Sequence, residues 1–356
     1  MPAIARKSRQ QLLDFGAQGL SNLAWAMAAA RCADAAFLGL LPNAAVARVG
    51  SFGQQEVANM LWAFATLAVE DQVALNCLAG EAHQYVSMFV PQAASNVVWS
   101  LAKLLVADYP LLHGLASHIA ETIPSGKFKV QEVSSTAWAF ATIELYHEGL
   151  LVSLASASIQ FLDTAPPRNV ANMVWSFATL VYKHEPFLEK VVECTARDVD
   201  EHSLLSLAST VWSLTLLTCV GGEPMLTHFV AECILRLEDT GQPEEELDDG
   251  IVSMVVQAAC SLPEKGTLLA RKVLDCYQPP VFRDVLFSSP AVQGLEDESS
   301  KSFVSELCKG DILRAGIDDL QKLSPYVCNT AAIRLLTAVM PTCGNLPSAR
   351  DSFCVA

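Results

Sequence analysis

Positive charge is scarce in this chain. Lysine and arginine number 23 against 38 aspartates and glutamates, a formal net charge of −15, and charged residues make up only 17% of the 356. The deficit runs the whole length, with 12 basic and 18 acidic side chains in residues 1–220 and 11 and 20 in residues 221–356. A protein that grips a polyanion mainly by releasing counterions shows the opposite balance, which argues against strong sequence-blind nucleic-acid binding. Recognition of single strands through their bases survives that objection in weaker form. Aromatic residues are also few, at 8%, while Ala, Leu, Val and Ser dominate a 52% apolar composition. That combination must fold, and it suits helices packed through small side chains better than a sheet of β-branched and aromatic residues.

Motif chemistry is missing as well. The eleven cysteines, an odd number scattered from Cys32 to Cys354, contain no C-x-x-C pair, the pattern of free buried thiols in a reducing compartment. The seven histidines form no H-E-x-x-H, and His113 and His118 stand five apart with no cysteine ligand nearby. No G-x-x-x-x-G-K, G-x-G-x-x-G or G-x-S-x-G occurs, so no catalytic residue, metal, cofactor or small-molecule substrate is expected. The acidic runs Glu244–Glu246 and Glu296–Glu298 read as solvated loop charge. The uncharged stretch Ser203–Gly222 carries seven Ser or Thr residues and reads as a buried helix, not a membrane span. Arg6, Lys7 and Arg9 precede the first acid, Asp14, which suits a weak transit-peptide signal and equally an ordinary basic terminus.

What is present is a repeat. All six tryptophans, Trp25, Trp62, Trp99, Trp138, Trp175 and Trp212, fall in one register, with gaps of 37, 37, 39, 37 and 37. Around them stand SNLAWAMAAA, ANMLWAFATL, SNVVWSLAKL, SSTAWAFATI, ANMVWSFATL and ASTVWSLTLL. Breakers such as Gly53, Pro91 and Pro167 precede the tryptophan helix, and a second helix opens at Pro110, Pro186 and Pro224. Two helices per 37 residues is the unit of an α-solenoid, so the fold class is all-α, with six clear copies over residues 1–240. Residues 241–356 read as a divergent helical cap. It opens with a degenerate seventh copy, in which Ser253 and Val256 replace Asn and Trp after the acidic insertion PEEELDD. A loop-like stretch from Gln278 to Ser300 and a fainter echo near Asn329 follow.

Each tryptophan is flanked by apolar residues, among them Met27, Phe64, Leu101, Phe140, Phe177 and Leu214 two positions on. This places the indoles in the core, with base stacking as the alternative role. Turning the helix at about 100° per residue aligns the positions seven and three before each tryptophan with those one and four after it. The stripe reads Gln18, Asn22, Ala26, Ala29; Gln55, Asn59, Ala63, Thr66; Gln92, Asn96, Ser100, Lys103; Gln131, Ser135, Ala139, Thr142; Arg168, Asn172, Ser176, Thr179; and Leu205, Ser209, Ser213, Leu216. Its polar members from Gln18 through Ser209, leaving out Ser100 and Ser176 directly after tryptophan, are the candidate RNA-reading residues, one unit per repeat, and the fourth position after tryptophan varies most. The structural alternative is that small residues let helices approach while the asparagines bond neighbouring backbone. Basic residues able to meet phosphates are Lys103, Lys127, Lys129, Arg168, Lys183 and Lys190, with Lys127 and Lys129 in the one longer repeat.

The N-x-x-W-[AS]-[FLM]-[AT] core at a 37-residue period, over roughly residues 11–260, resembles the octotricopeptide and heptatricopeptide repeat proteins. It is similar also to the leucine-rich helical region of FAST-kinase-domain proteins and to the sixth subunit of the kinetoplastid RNA-editing substrate-binding complex. The resemblance implies a non-catalytic, single-stranded-RNA-binding protein of an RNA-processing complex. Its expected work is transcript stability, processing, editing or ribosomal RNA maturation, in the mitochondrion first and in chloroplast or cytoplasm as alternatives, with no membrane partner. The chain departs from the pattern in its acidic charge and in having no RAP-type module after residue 280, and it begins almost within its first repeat, as a piece of a longer member would. The reading from another class is an armadillo-like scaffold whose asparagine stripe grips an extended peptide.

Overall fold

The computed structural model describes residues 12–217, 223–239, 249–260 and 262. The basic N-terminal segment, both acidic runs, the stretch 278–300 and the echo near Asn329 lie outside these residues, as does most of the region 241–356. Among the described residues the chain is helical without strands. Each copy is a pair, a tryptophan-bearing helix A followed by a helix B. The pairs are α1 Ala17–Ala29 with α2 Ala35–Val46, α3 Gln54–Thr66 with α4 Gln72–His83, and α5 Pro91–Lys103 with α6 Tyr109–Thr122. They continue as α7 Val130–Thr142 with α8 Glu148–Phe161, α9 Pro167–Thr179 with α10 Glu185–Arg197, and α11 Leu204–Leu216 with α12 Glu223–Asp239. A thirteenth helix, α13 Asp249–Cys260, stands where the degenerate copy was expected. No described helix is long and apolar enough to cross a membrane.

The chain divides into two compact units between Lys190 and Val191. In the first unit the A helices stack in order, α1 on α3 on α5 on α7 on α9, while the B helices form a looser layer in which α2 lies on α4 and α6 on α8. Helix pairs stacked in chain order in this way are a helical solenoid, which confirms the expected fold class. In the second unit α11 packs on α12 and α13, so α13 takes the place of a further A helix.

The repeated sequence explains the repeated boundaries. All six tryptophan helices run 13 residues with the indole at the ninth. In the first five copies the A helix ends in a Schellman turn. Arg31, Ala68, Leu105, Glu144 and Val181 take left-handed backbone with φ between 48 and 54°. The next N–H in each case reaches back five residues, as Val106 does to the Leu101 carbonyl at 2.8 Å. Helix B then starts on a side-chain cap: Asp34, Asp71 and Asp108 accept from the backbone N–H three residues on. In the next two copies an imidazole nitrogen does the same, with Leu150 N–H donating to His147 Nδ1 at 3.1 Å and Phe187 N–H to His184 Nδ1 at 3.3 Å.

Hydrogen bonds about one repeat long tie successive copies. Gly50 N–H donates to the buried Glu81, Tyr85 Oη to the Phe52 carbonyl, Ser95 Oγ to the Glu132 carbonyl and Asn169 Nδ2 to Ser134 Oγ. In the second unit Arg236 donates to the carbonyls of Val199 and His202 while its Nε holds Glu232 at 2.8 Å. The His202 ring beside it is buried, and burial, reinforced by the Arg236 charge, lowers its pKa from 6.5 to about 4. Burial also pushes the Cys233 thiol up to about 12, which makes it a packing residue and not a nucleophile.

Two outcomes follow from these contacts. Replacing His147 or His184 by alanine should lower stability by about 1 kcal/mol, and replacing it by aspartate should restore the loss, as measured by urea denaturation. Below about 6.5 the unfolded chain takes up a proton at His202 that the folded chain refuses until about 4. Stability of the second unit should therefore fall as pH drops through that window, and His202→Gln should flatten that part of the profile.

Candidate functional site: the face of the A helices

Three positions of every A helix point into the molecule. Those five before, one before and two after each tryptophan are closed to solvent in the first unit, as Val57, Leu61 and Phe64 are in the second copy. Their angles on the helix cluster on one side, and the stripe seven before, three before and four after falls on the opposite side. One of the two flanks between these faces is small. Ser95 and Ala102 in α5, or Ala171 and Ala178 in α9, are buried, and they let neighbouring A helices approach closely.

The tryptophans do not sit where their apolar neighbours suggested. Trp138 alone is fully enclosed, at 2% exposure; Trp25 is 47% exposed, and Trp62, Trp99, Trp175 and Trp212 are half-buried. The indole occupies the shoulder between the tight flank and the open stripe, because close A-on-A packing admits an alanine or serine but not a bicyclic ring. Three of the rings make contacts across the step between copies. Trp25 and Trp62 have centroids 6.1 Å apart and planes tilted by 33°, and Trp212 Nε1 donates to Gln257 Oε1 of α13 at 2.7 Å. The expectation of six core indoles is corrected to one core indole and a partly open ladder.

The stripe itself is graded. Gln18, Asn22, Gln55, Gln92, Gln131 and Arg168 are exposed, while Asn59, Thr66, Asn96, Lys103, Ser135 and Thr179 are half-buried. Thr142, Asn172 and Ser209 are buried, and Thr142 Oγ1, Asn172 Oδ1 and Ser209 Oγ have no hydrogen-bond partner. The position after tryptophan is closed in most copies, and its hydroxyls are spent within their own helix. Ser100, Ser176 and Ser213 each donate to the carbonyl four residues back at 2.6 Å. The backbone-bonding role expected of the asparagines thus belongs to these serines.

Charge on this face follows a rule that the net value conceals. The A helices of the first unit carry four charged residues, Glu56, Lys103, Glu132 and Arg168. Both acids occupy the first turn and fold back on their own helix ends. Glu132 accepts from the Lys129 N–H at 2.8 Å, and the Glu56 carboxylate lies over Gly53, where a Cβ would meet its Oε2 at 2.7 Å. The two cations stand on the stripe. Of the other basic candidates, Lys183 pairs with Glu185 at 2.9 Å and Lys190 with Asp163 at 2.8 Å, away from the A helices, and Lys127 and Lys129 are exposed in the turn before α7. Among the described residues no group of His, Cys, Asp and Glu is arranged to hold a metal.

The burial gradient makes a direct prediction about the ladder. Trp138→Ala should cost about 3 to 5 kcal/mol in urea denaturation, as an enclosed aromatic does, and Trp25→Ala well under half of that.

Comparison with known proteins bears on the same segment. No curated protein matches the chain. A family model, described as RNA-editing substrate-binding complex 6 protein, matches residues 3–186, which takes in the first five tryptophan helices and ends in the second helix of the fifth copy. That span is more than half of the 356 residues and coincides with the unit built by continuous A-helix stacking, and the chain belongs to the RNA-editing substrate-binding complex 6 protein family.

Proposed function

We propose that the chain is a non-catalytic member of a mitochondrial RNA-processing complex that holds single-stranded RNA along the A-helix face of its first unit. The observation that carries this reading is the segregation of charge. The molecule is acidic, yet its A face has its two carboxylates folded onto helix ends and carries Lys103 and Arg168 on the stripe. Beside these cations stand exposed amides, Gln18, Asn22, Gln55, Gln92 and Gln131, able to donate to and accept from base edges. The half-open indoles of the ladder add flat apolar surface on which bases stack without regard to sequence. Family membership supports the same direction, since the family is described by a complex that binds RNA-editing substrates. With so few cations, affinity comes mainly from stacking and amide contacts, and the electrostatic contribution is small.

Binding of fluorescein-labelled oligouridylate, followed by anisotropy over a salt series, tests the reading. Measurable affinity at low salt should decline with a shallow slope, and Lys103→Ala or Arg168→Ala should each reduce that slope by about 1. Trp25→Ala should weaken binding with little change in slope, at about 1 to 3 kcal/mol for one lost stacked base. Absence of binding at low salt would remove RNA as the ligand of this face.

A further inference from the structure

The B layer of the first unit is unevenly closed. α2 packs along α4 and α6 along α8, but α4 and α6 meet only at their margins. An open groove of about 570 Å3 lies there, between one stripe of α4 and the turn that links α5 to α6. Its α4 wall carries Gln72, Asn76, Gly80 and His83, and the facing turn supplies Leu105, Asp108 and Tyr109. The volume is within the ~300 to 1,000 Å3 of ordinary binding sites.

Three features say what the groove is shaped to take. The first is exposed apolar surface with no return in packing. Leu105 is 63% exposed and Tyr109 54% exposed, and Leu105 also sits at φ 53°, a backbone conformation that disfavours any side chain beyond glycine. Leucine and tyrosine side by side on an open lip are what protein interfaces use as anchors. The second is a polar pair suited to a peptide backbone. Gln72 Nε2 donates to Asn76 Oδ1 at 2.8 Å, and the two amides keep a further acceptor and donor between them. The third is sign of charge. No lysine or arginine lines the groove; its one carboxylate is Asp108, which caps Leu111 N–H at 3.1 Å and holds His83 Nε2 at 3.0 Å, and Glu70 and Asp71 immediately precede the α4 wall. Carboxylate without lysine or arginine favours a cationic side chain over a phosphate backbone here.

We propose that this groove is a protein-docking site, and that its occupant is an extended segment of a partner protein bearing leucine-type anchors and cationic side chains. The site is independent of the RNA reading: it stands on the B layer and uses no residue of the A-face stripe.

The test uses the full chain and two labelled dodecapeptides, one alternating leucine with arginine and one alternating leucine with glutamate, followed by fluorescence anisotropy. The arginine peptide should bind and the glutamate peptide should not. Gly80→Leu should fill the groove without disturbing the fold, because a Cβ at Gly80 meets nothing within 4 Å and leucine favours the helix more than glycine does. It should weaken arginine-peptide binding by about tenfold or more. Asp108→Asn, which retains a capping side chain while removing the charge, should weaken it by about threefold. Neither variant should alter oligouridylate binding, whether that binding is present or absent. The proposal is overturned if the arginine peptide fails to bind, if its binding is indifferent to Gly80→Leu, or if Gly80→Leu abolishes oligouridylate binding instead.

Discussion

Close approach of successive A helices is the constraint on which the rest of the first unit depends. It rests on small side chains along one flank of each A helix of the first unit, where the chain supplies alanine or serine, as at Ser95, Ala102, Ala171 and Ala178, while the opposite flank buries larger residues such as Met60, Val97 and Met173. Once that one flank is small, the apolar positions of each A helix close against its neighbours, and what remains is one narrow open face. Polar groups inside such a layer must find partners within reach. Ser100 and Ser176 turn back on their own helix, and Ser95 reaches the next copy. Of the five indoles of the first unit this packing encloses Trp138 alone, and the other four stand at the shoulder of the open face. A partly exposed tryptophan ladder is in this sense a by-product of tight helix stacking, available to whatever binds there.

The two layers of the first unit consequently offer different chemistry. The A face is nearly free of charge, with amides, indoles and two cations, and it suits a ligand recognised by stacking and hydrogen bonds. The B layer and the A-to-B turns hold most of the acids, several of them as helix caps, together with exposed Leu105, Tyr109 and Val181. A molecule with an acidic total can thus carry one surface compatible with RNA and another compatible with cationic protein segments.

Much of this was legible in the residues. Helix boundaries followed from Pro91, Pro110, Pro167 and Pro186 and from the 37-residue register, and the degenerate copy at Ser253 and Val256 is a helix packed as expected on α11. The angle places Gln18, Gln55, Gln92 and Gln131 on the exposed side, but it does not show that Thr142, Asn172 and Ser209 of the same stripe are buried. The tryptophans were misplaced because a run of apolar neighbours shows that a helix is buried, not which of its sides has room for a large ring. The caps at His147 and His184 occupy the same repeat position as Asp34, Asp71 and Asp108, but an imidazole is not a residue in which sequence patterns look for a cap. The near-absence of acids from the A helices was readable too, and was hidden by averaging charge over half-chains.

The sequence by itself determined the repeat, the helix pair and the polar stripe, because periodicity and turn chemistry act over a few residues and are written in the order of the chain. Only the tertiary structure decided which of the stripe residues reach solvent, how far each indole is enclosed, and that α4 and α6 part to leave a groove. Those outcomes depend on the distance between helices that are 37 residues apart, and that distance is set by the summed fit of many side chains, which no single position records.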